Sequence, residues 1–264
     1  FVGTNKDGSS AFYINKIPGT KRYNFKIQNH LIHNRGKHNE RPFLDIEHIK
    51  EHSSKLYELY NNIKNSKGVI YIYTEYKYYG AIMIALFLEY MGFERYTISK
   101  EYPLLDYGKN NSGGGGKRER LDYEKLEPIT KIKSRKPQFA KYVLLSGSVK
   151  NYDFVKITPK KVADALNAPD NIDGQKIRIV IGTRISGEGL DLKRIRQIHI
   201  VEPWYNLSRI EQIEGRGVRQ YSHLQLPPSD RNIELFKYVS LPPQVTQNSI
   251  ETIDYRIYRI AELK

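Results

Sequence analysis

Three polar side chains between residues 212 and 219 have the types and spacing of a phosphate-binding group. Gln212, Arg216 and Arg219 are spaced i, i+4 and i+7, so one helix would present all three from the same face. Arginine carries a planar, permanently charged fork that binds phosphate oxygens through two hydrogen bonds. The structural alternative is that Arg216 and Arg219 form surface ion pairs, as most helix arginines do. Taken alone, the three residues leave both interpretations open.

Two strands and a loop must position this helix. The apolar runs from Ile177 to Ile181 and from Ile198 to Val201 are typical of strands buried in a parallel sheet. The loop between them contains Gly182, Gly187 and Gly189, which would let the backbone approach a ligand where a side chain would block it. The sequence therefore predicts a binding loop followed by a binding helix.

The helix has two candidate starts. Ser208 with Glu211 three residues later resembles a capping box, and Asn206 is an equally good cap. The face that packs against the sheet is predicted to consist of Ile210, Ile213 and Val218. Gly215 and Gly217 are poor helix formers, costing about 1 kcal/mol each relative to alanine, and they indicate a close approach by another group.

In this order, the features resemble two motifs of superfamily 2 helicases. GTRISGEGLDL, residues 182–192, looks like motif V, and QIEGRGVRQ, residues 212–220, looks like motif VI with its pattern Q-x-x-G-R-x-x-R. The resemblance is nearest to the poxvirus and giant-virus group that includes nucleoside triphosphate phosphohydrolase I and the small subunit of the viral early transcription factor. It covers most of the chain after about residue 45. It implies an α/β fold, a RecA-like three-layer sandwich around a central, mainly parallel sheet.

The resemblance also implies a nucleotide site. Arg216 and Arg219 would reach the γ-phosphate of ATP, with Arg219 as the arginine finger, and Gln212 would order the attacking water or the phosphate. Backbone amides around Gly187 and Gly189 would approach the nucleotide. These roles are expectations carried by the motifs.

The rest of motif V and the strand of motif IV complete the expected site. Asp191 would lie near the ribose or bridge to motif VI, although it could also only cap a turn. Glu188 is a nucleotide-binding candidate that could instead couple the two motifs. The expected nucleic-acid contacts are Thr74, Tyr76, Thr183 and Ser186.

A complete helicase motor needs more than these motifs. It requires a phosphate-cradling G-x-x-x-x-G-K-[ST] loop and an acidic motif for magnesium, and neither sequence occurs in this chain. The chain, which begins with Phe1, is therefore predicted to be an excised second RecA-like half that is inactive alone. ATP and Mg²⁺ would be held mainly by an N-terminal RecA-like domain of the same longer protein.

Composition points to a polyanionic partner. The 264 residues carry a net charge of +14, which favours nucleic acid, with duplex DNA as the expected form. An AT-rich genome, which enriches Lys, Asn, Ile and Tyr, is an alternative source of part of this charge. Cysteine is absent, which excludes disulfides and thiolate metal sites. No run has the length of a membrane span, and no signal peptide is visible.

Alternation of helical and strand patterns predicts parallel βαβ units. Residues 1–44 are expected to be a linker or the end of a preceding domain, and residues 45–264 the helicase domain, with a flexible insertion near residues 105–120. The predicted elements are helices at 45–65, 80–91, from Thr158 and at 250–263, and strands at 23–27, 69–73 (motif IV), 142–145 and 235–239. His48 and His52, spaced i, i+4, could share a metal, but solvated histidines are the favoured interpretation.

Two functions from different classes follow. The leading hypothesis is the C-terminal half of a nucleic-acid-dependent ATPase of viral transcription, acting with a viral RNA polymerase or transcription factor subunit in the virion and host cytoplasm. The alternative is a non-catalytic module on a RecA-like scaffold that binds nucleic acid or docks on a polymerase. A nuclease is disfavoured because the sequence offers no convincing acidic metal cluster.

Overall fold

Short runs of β-branched and aromatic residues form the strands of the molecule. The computed structural model describes residues 12–16, 23–27, 44–97, 103–106, 119–145, 158–184, 191–242 and 251–263. In these ranges the strands are β1 Phe12–Lys16, β2 Tyr23–Ile27, β3 Val69–Tyr73, β4 Glu94–Arg95, β5 Leu105–Asp106, β6 Lys141–Leu145, β7 Ile179–Gly182, β8 Ile195–Ile200 and β9 Glu234–Lys237.

Six of these strands form one parallel sheet in the order β4-β6-β7-β3-β8-β9. The central strand β3 pairs with β7 through Tyr73 and Gly182 and with β8 through Tyr73 and Ile200. The carboxyl ends of the three strands therefore meet at one edge of the sheet, which is where ligands of open α/β sheets bind. The predicted α/β fold with a mainly parallel sheet is confirmed.

The helices differ from the sequence prediction mainly at their boundaries. They are α1 Ile46–His52, α2 Ser54–Lys64, α3 Met83–Tyr90, α4 Pro159–Asn167, α5 Leu207–Gly217 and α6 Ile253–Glu262, with a π-helical turn, Lys77–Ile82, before α3. The single helix expected at residues 45–65 is two helices, because Ser53 is extended (φ −155°) and its hydroxyl caps α2 by accepting from the amide of Leu56. The predicted Thr158 cap of α4 is confirmed, since its hydroxyl accepts from the amide of Lys161.

Alternation along the strands builds two separate hydrophobic layers. Ile70 and Ile72 of β3 face a core shared with α2 and α3, whereas Tyr71 and Tyr73 face a second core shared with α4 and α5. Side chains on successive strand positions point to opposite faces, so helices cover both sides of the sheet. This arrangement is the predicted three-layer sandwich.

A smaller sheet joins the amino-terminal region to the main core. β1 pairs antiparallel with β2, and β2 pairs parallel with β5. Phe25 of β2 is 2% exposed and belongs to the core beside α3. The domain boundary at residue 44 stays a prediction, but Phe25 of β2, which precedes that boundary, packs in the core of the domain.

The expected flexible insertion near residues 105–120 lies mostly outside the described residues. The described chain beyond it is organised around Asp122, whose buried carboxylate accepts from the amides of Glu124 and Gln138 and pairs with Arg135 at 2.7 Å. Residues 119–140 thus form an ordered loop that returns the chain to β6.

Within the described ranges, no helix has the length and apolar character that crossing a membrane requires. No three of their His, Asp or Glu side chains gather closely enough to hold a metal ion, His48 and His52 of α1 included.

His199 makes folding stability depend on pH. The ring is fully buried on β8, lies 2.7 Å from the Tyr238 hydroxyl and 3.1 Å from the Gln197 side chain, and stacks on Phe236. Burial lowers the pKa of His199 from 6.5 to about 3. Below about pH 6.5 the unfolded chain takes up a proton that the folded chain excludes, so the free energy of unfolding falls as the pH drops towards 3, by roughly 1 kcal/mol per pH unit.

Urea unfolding of the protein and of His199→Gln between pH 7 and pH 4.5 measures this dependence. We expect the variant to lose less stability over that interval, since it has no ring to protonate. The exposed His52→Gln substitution on α1 is the matched control and should follow the unsubstituted protein. Parallel curves for His199→Gln and the unsubstituted protein would contradict the assignment.

Candidate functional site at the carboxyl edge of the sheet

An open cleft of about 260 Å³ lies where the carboxyl ends of β3, β7 and β8 meet the start of α5. Its lining consists of Tyr73, Arg184, Trp204, Asn206, Ser208, Arg209, Gln212, Ile213 and Arg216. The three arginines converge there beside the amino-terminal end of a helix, where backbone N–H groups also favour negative charge. The cleft is therefore suited to an anionic ligand, and above all to phosphate.

Helix α5 begins directly after Asn206, which lies in the same loop as Trp204. Asn206 is the N-cap, and its side-chain oxygen accepts from the amide of Ser208 at 2.9 Å. Of the two predicted starts, the capping box of Ser208 and Glu211 is wrong, because Ser208 already lies inside the helix. Capping at Asn206 places the first turn, and with it Arg209, at the mouth of the cleft.

The packed face of α5 is smaller than predicted. Ile210 and Ile213 are buried against the sheet as expected, but Val218 is 65% exposed because the helix ends at Gly217. A Cβ atom at Gly217 would lie 2.7 Å from Cδ1 of Ile198, so glycine lets the last turn approach β8. Gly217, in place of Val218, makes the third contact with the sheet.

Gln212 and Arg216 lie one helical turn apart and both line the cleft, as the i, i+4 spacing predicts. Arg219 does not share their face. The helix ends at Gly217 and Val218 is its C-cap, so the helical spacing does not extend to Arg219. The expectation that one face presents all three side chains is wrong for this residue.

Arg219 instead binds Asp191, a residue of motif V that was expected near the ribose or in a bridge to motif VI. Nη1 of Arg219 lies 2.8 Å from Oδ1 of Asp191, and the two side chains are 41% and 54% exposed. Asp191 thus bridges to motif VI, which was one of its two expected positions. Exposed pairs of this kind contribute about 0–1 kcal/mol, so the bond can be exchanged for another partner at little cost.

Arg209 is a residue of the site that the sequence reasoning missed. Its guanidinium lies 4.3 Å from the centre of the Trp204 ring and 3.1 Å from Oε2 of Glu75, which also accepts from the Tyr73 hydroxyl at 2.8 Å. Burial, followed by the bond to Glu75, raises the pKa of Tyr73. The helical spacing contained the signal, because Arg209 precedes Gln212 by three positions and therefore shares its face.

Glu202 joins the loops after β3 and β8. Its carboxylate accepts from the hydroxyl of Thr74 and from the amide of Glu75, both at 3.0 Å. Burial raises the pKa of Glu202, while these two donors act in the opposite direction. The sequence reasoning missed Glu202, because neither of its partners is near it in the chain.

The remaining predicted residues lie outside the cleft lining or outside the described chain. The side chains of Thr74 and Thr183 are buried, at 0% and 4% exposure. Ser186, Gly187, Glu188 and Gly189 lie outside the described residues. Gly182 faces Tyr71, since a Cβ there would meet the Tyr71 hydroxyl at 2.6 Å. Glycine at this position therefore makes room for the buried Tyr71 ring. The prediction that the backbone at Gly182 approaches a ligand is wrong.

Comparison with known proteins finds one matching family model and several similar viral proteins. Residues 127–220 match the family model described as "Helicase conserved C-terminal domain". The chain is similar to a protein of Acanthamoeba polyphaga mimivirus that carries the name of an ATP-dependent RNA helicase, at 26% identity over 93% of this chain and 33% of the relative.

Two proteins of African swine fever virus are also similar. A termination factor NPH-I homologue is 31% identical over 81% of this chain and 31% of its own length. An early transcription factor homologue is 40% identical over 29% of this chain and 7% of its own length, and it is the large subunit, whereas the motifs suggested the small one. The chain spans about a third of the length of the first two relatives.

Proposed function

We propose that this chain, whose residues 127–220 match the helicase C-terminal domain model and whose fold is α/β around a parallel sheet, is the second RecA-like half of a nucleic-acid-dependent ATPase of viral transcription. The observation that supports the proposal best is the cleft at the carboxyl edge of the sheet, whose lining includes Gln212 and Arg216 of motif VI. Phosphoryl transfer depends on positioning and on cationic groups that stabilise charge on the phosphate, and a cleft lined by arginines can supply such groups.

The donors in the cleft fit the phosphates of ATP but not its metal ion. Among the nine residues that line it in the described chain, three are arginines and none is Asp or Glu. Mg²⁺ prefers carboxylate and phosphate oxygens. We therefore assign the Mg²⁺ ligands and most of the ATP contacts to an N-terminal RecA-like domain of a longer protein, with Mg²⁺ neutralising phosphate charge when bound.

Each residue of motif VI then has a separate task. Arg216, already in the cleft, binds a phosphate oxygen, and Gln212 orients the attacking water. Arg219 acts as the arginine finger and exchanges its exposed bond to Asp191 for the γ-phosphate when the two halves close. The released Asp191 becomes free to accept from the ribose.

Motifs IV and V complete the proposal. Backbone amides around Gly187 and Gly189, with Glu188, approach the nucleotide. Thr183 and Ser186 are the proposed contacts to a nucleic-acid phosphate, Thr183 through its backbone because its side chain is buried. Thr74 acts through its backbone, since its hydroxyl is held by Glu202.

The partners proposed for the whole protein follow from its relatives and its charge. A net charge of +14 favours nucleic acid, with duplex DNA as the expected form. Names that refer to termination and early transcription support a viral RNA polymerase or transcription factor subunit as a second partner, in the virion and host cytoplasm. The alternative remains a non-catalytic binding module on the same scaffold.

ATP hydrolysis by the longer protein and by this 264-residue chain, each with and without nucleic acid at low salt, tests the proposal. We expect the longer protein to hydrolyse ATP faster when nucleic acid is present, and this chain alone to hydrolyse none, because it lacks the phosphate-cradling loop. A longer protein that binds nucleic acid but never hydrolyses ATP would favour the non-catalytic module.

A further inference from the structure

The turn that follows β3 exposes three tyrosines within four positions. Tyr76, Tyr78 and Tyr79 are 56%, 41% and 65% exposed, although large aromatic side chains are usually covered in a folded domain. We call these three residues the tyrosine turn. The turn begins three positions after Tyr73, which ends the central strand and itself lines the cationic cleft.

Hydrogen bonds and close packing fix the backbone of the tyrosine turn. The amide of Ala81 donates to the carbonyl of Tyr76 at 2.9 Å, and Thr74 is fixed by Glu202. A Cβ atom at Gly80 would lie 1.8 Å from the Thr74 hydroxyl and 3.0 Å from its Cβ, so only glycine lets the turn sit on Thr74. The turn is also π-helical from Lys77, a conformation found often at functional sites. The exposed rings are therefore carried on a fixed backbone.

The residues near the tyrosine turn indicate which class of ligand it would bind. Glu202 binds Thr74 and Glu75, the two residues before the turn, and its own loop carries Tyr205, which is 52% exposed and lies against Trp204. Lys77 lies within the turn, and the arginines of the cleft lie on the same edge. Aromatic rings beside cations match a polyanion with flat apolar faces, which is a nucleic-acid strand whose bases are unpaired. Bases inside a closed duplex present no free faces to stack on.

We propose that Tyr76, Tyr78 and Tyr79 stack on the bases of an unpaired nucleic-acid strand that crosses the carboxyl edge of the sheet. This inference rests on the proposed function and deepens it, because it names the side chains and the form of nucleic acid at that edge. At this position the expected ligand is a single strand, in place of the duplex DNA proposed as the partner of the whole protein. The rings supply affinity that does not depend on charge, and Lys77, which lies between them in the sequence, supplies an electrostatic part.

Fluorescence anisotropy with a labelled 20-nucleotide single strand and with the matching duplex, at several salt concentrations, tests the inference on the 264-residue protein. Tyr76→Ala, and Tyr78→Ala with Tyr79→Ala, should each weaken single-strand binding about 5- to 150-fold per stacked base. The slope of log affinity against log salt should stay unchanged, because no cation has been removed. The matching phenylalanine variants should bind like the unsubstituted protein, since they keep the rings.

Tyr255→Ala, which removes an exposed tyrosine on α6, is the control and should leave binding unchanged; equal thermal melting would show that all variants are folded. The inference is overturned if the alanine variants bind as tightly as the unsubstituted protein, or if the protein prefers the duplex or binds neither nucleic acid. Phenylalanine variants as weak as the alanine variants would also overturn it, since hydroxyl contacts to phosphate would then account for the affinity. None of these results touches ATP hydrolysis by the longer protein, so failure here and failure of the proposed ATPase can be told apart.

Discussion

Arg219→Ala in the longer protein is expected to lower the kcat of ATP hydrolysis by about 10³- to 10⁵-fold, the range that arginine fingers contribute in other nucleotide hydrolases. The guanidinium would stabilise charge that develops on the γ-phosphate only in the transition state, so kcat should fall far more than the affinity for ATP. Arg216→Ala should also reduce hydrolysis strongly, and because Arg216 already lines the cleft, ATP binding should weaken with it.

Asp191→Ala separates this role from a structural one. In the structure Arg219 has a partner, and an exposed ion pair at 2.8 Å is also what a purely structural arginine would show. If that pair were the whole contribution of Arg219, Asp191→Ala would lower kcat as much as Arg219→Ala does. We expect instead that Asp191→Ala mainly raises the KM for ATP, because it removes the proposed contact to the ribose.

Steady-state kinetics over a range of ATP concentrations distinguish the two outcomes. Arg256→Ala, an exposed arginine on α6 outside the cleft, is the matched control and should change neither parameter. An Arg219→Ala protein with the kcat of the unsubstituted protein would show that Arg219 is not the finger, and Arg216 would then remain the candidate.

Glu89→Ala is expected to have the largest effect on stability, lowering the free energy of unfolding by roughly 3–6 kcal/mol. The Glu89 side chain on α3 is buried, and its carboxylate accepts from the amides of Leu104 and Leu105 at 2.9 and 2.7 Å and from the Tyr142 hydroxyl at 2.7 Å. Burial raises the pKa of Glu89, and the three donors act in the opposite direction. Alanine would leave these buried donors without their acceptor and would open a cavity beside β6.

Urea unfolding at pH 7 measures the loss. Glu89→Gln should lose less than Glu89→Ala, because its side-chain oxygen keeps one acceptor in place. Glu58→Ala, which removes an exposed glutamate from α2, should stay within about 0.5 kcal/mol of the unsubstituted protein. A Glu89→Ala protein as stable as the Glu58→Ala control would mean that the three contacts do not hold α3 to the sheet.

Much of the fold could be predicted because it depends on local patterns. The apolar strand at residues 69–73 lies where its composition placed it, and Thr158 with Pro159 starts α4 as capping chemistry requires. The order of strands, loops and helices was sufficient for an α/β sandwich, since parallel strands need helical crossovers. Errors occurred where two local signals competed, as at Asn206 and Ser208, or where a helix could end early, as at Gly217.

The candidate site was predicted unevenly. Gln212 and Arg216 line one cleft because the helical repeat alone sets their spacing. Arg209 follows the same repeat and could have been included. Outside the site, Glu89 and His199 gave no sequence signal, because a glutamate in an apolar helix and a histidine in a strand acquire meaning only from the groups that surround them.

The sequence by itself determined the identity and order of the chemical groups: two arginines and a glutamine after a glycine-containing loop, on a chain of net charge +14. The tertiary structure decided which of these groups meet. Arg219 binds Asp191 across 28 positions, and Thr74 binds Glu202 across 128. Helical and strand periodicities fix side-chain directions over a few residues, whereas contacts between distant segments depend on how the sheet brings the ends of β3, β7 and β8 to one edge.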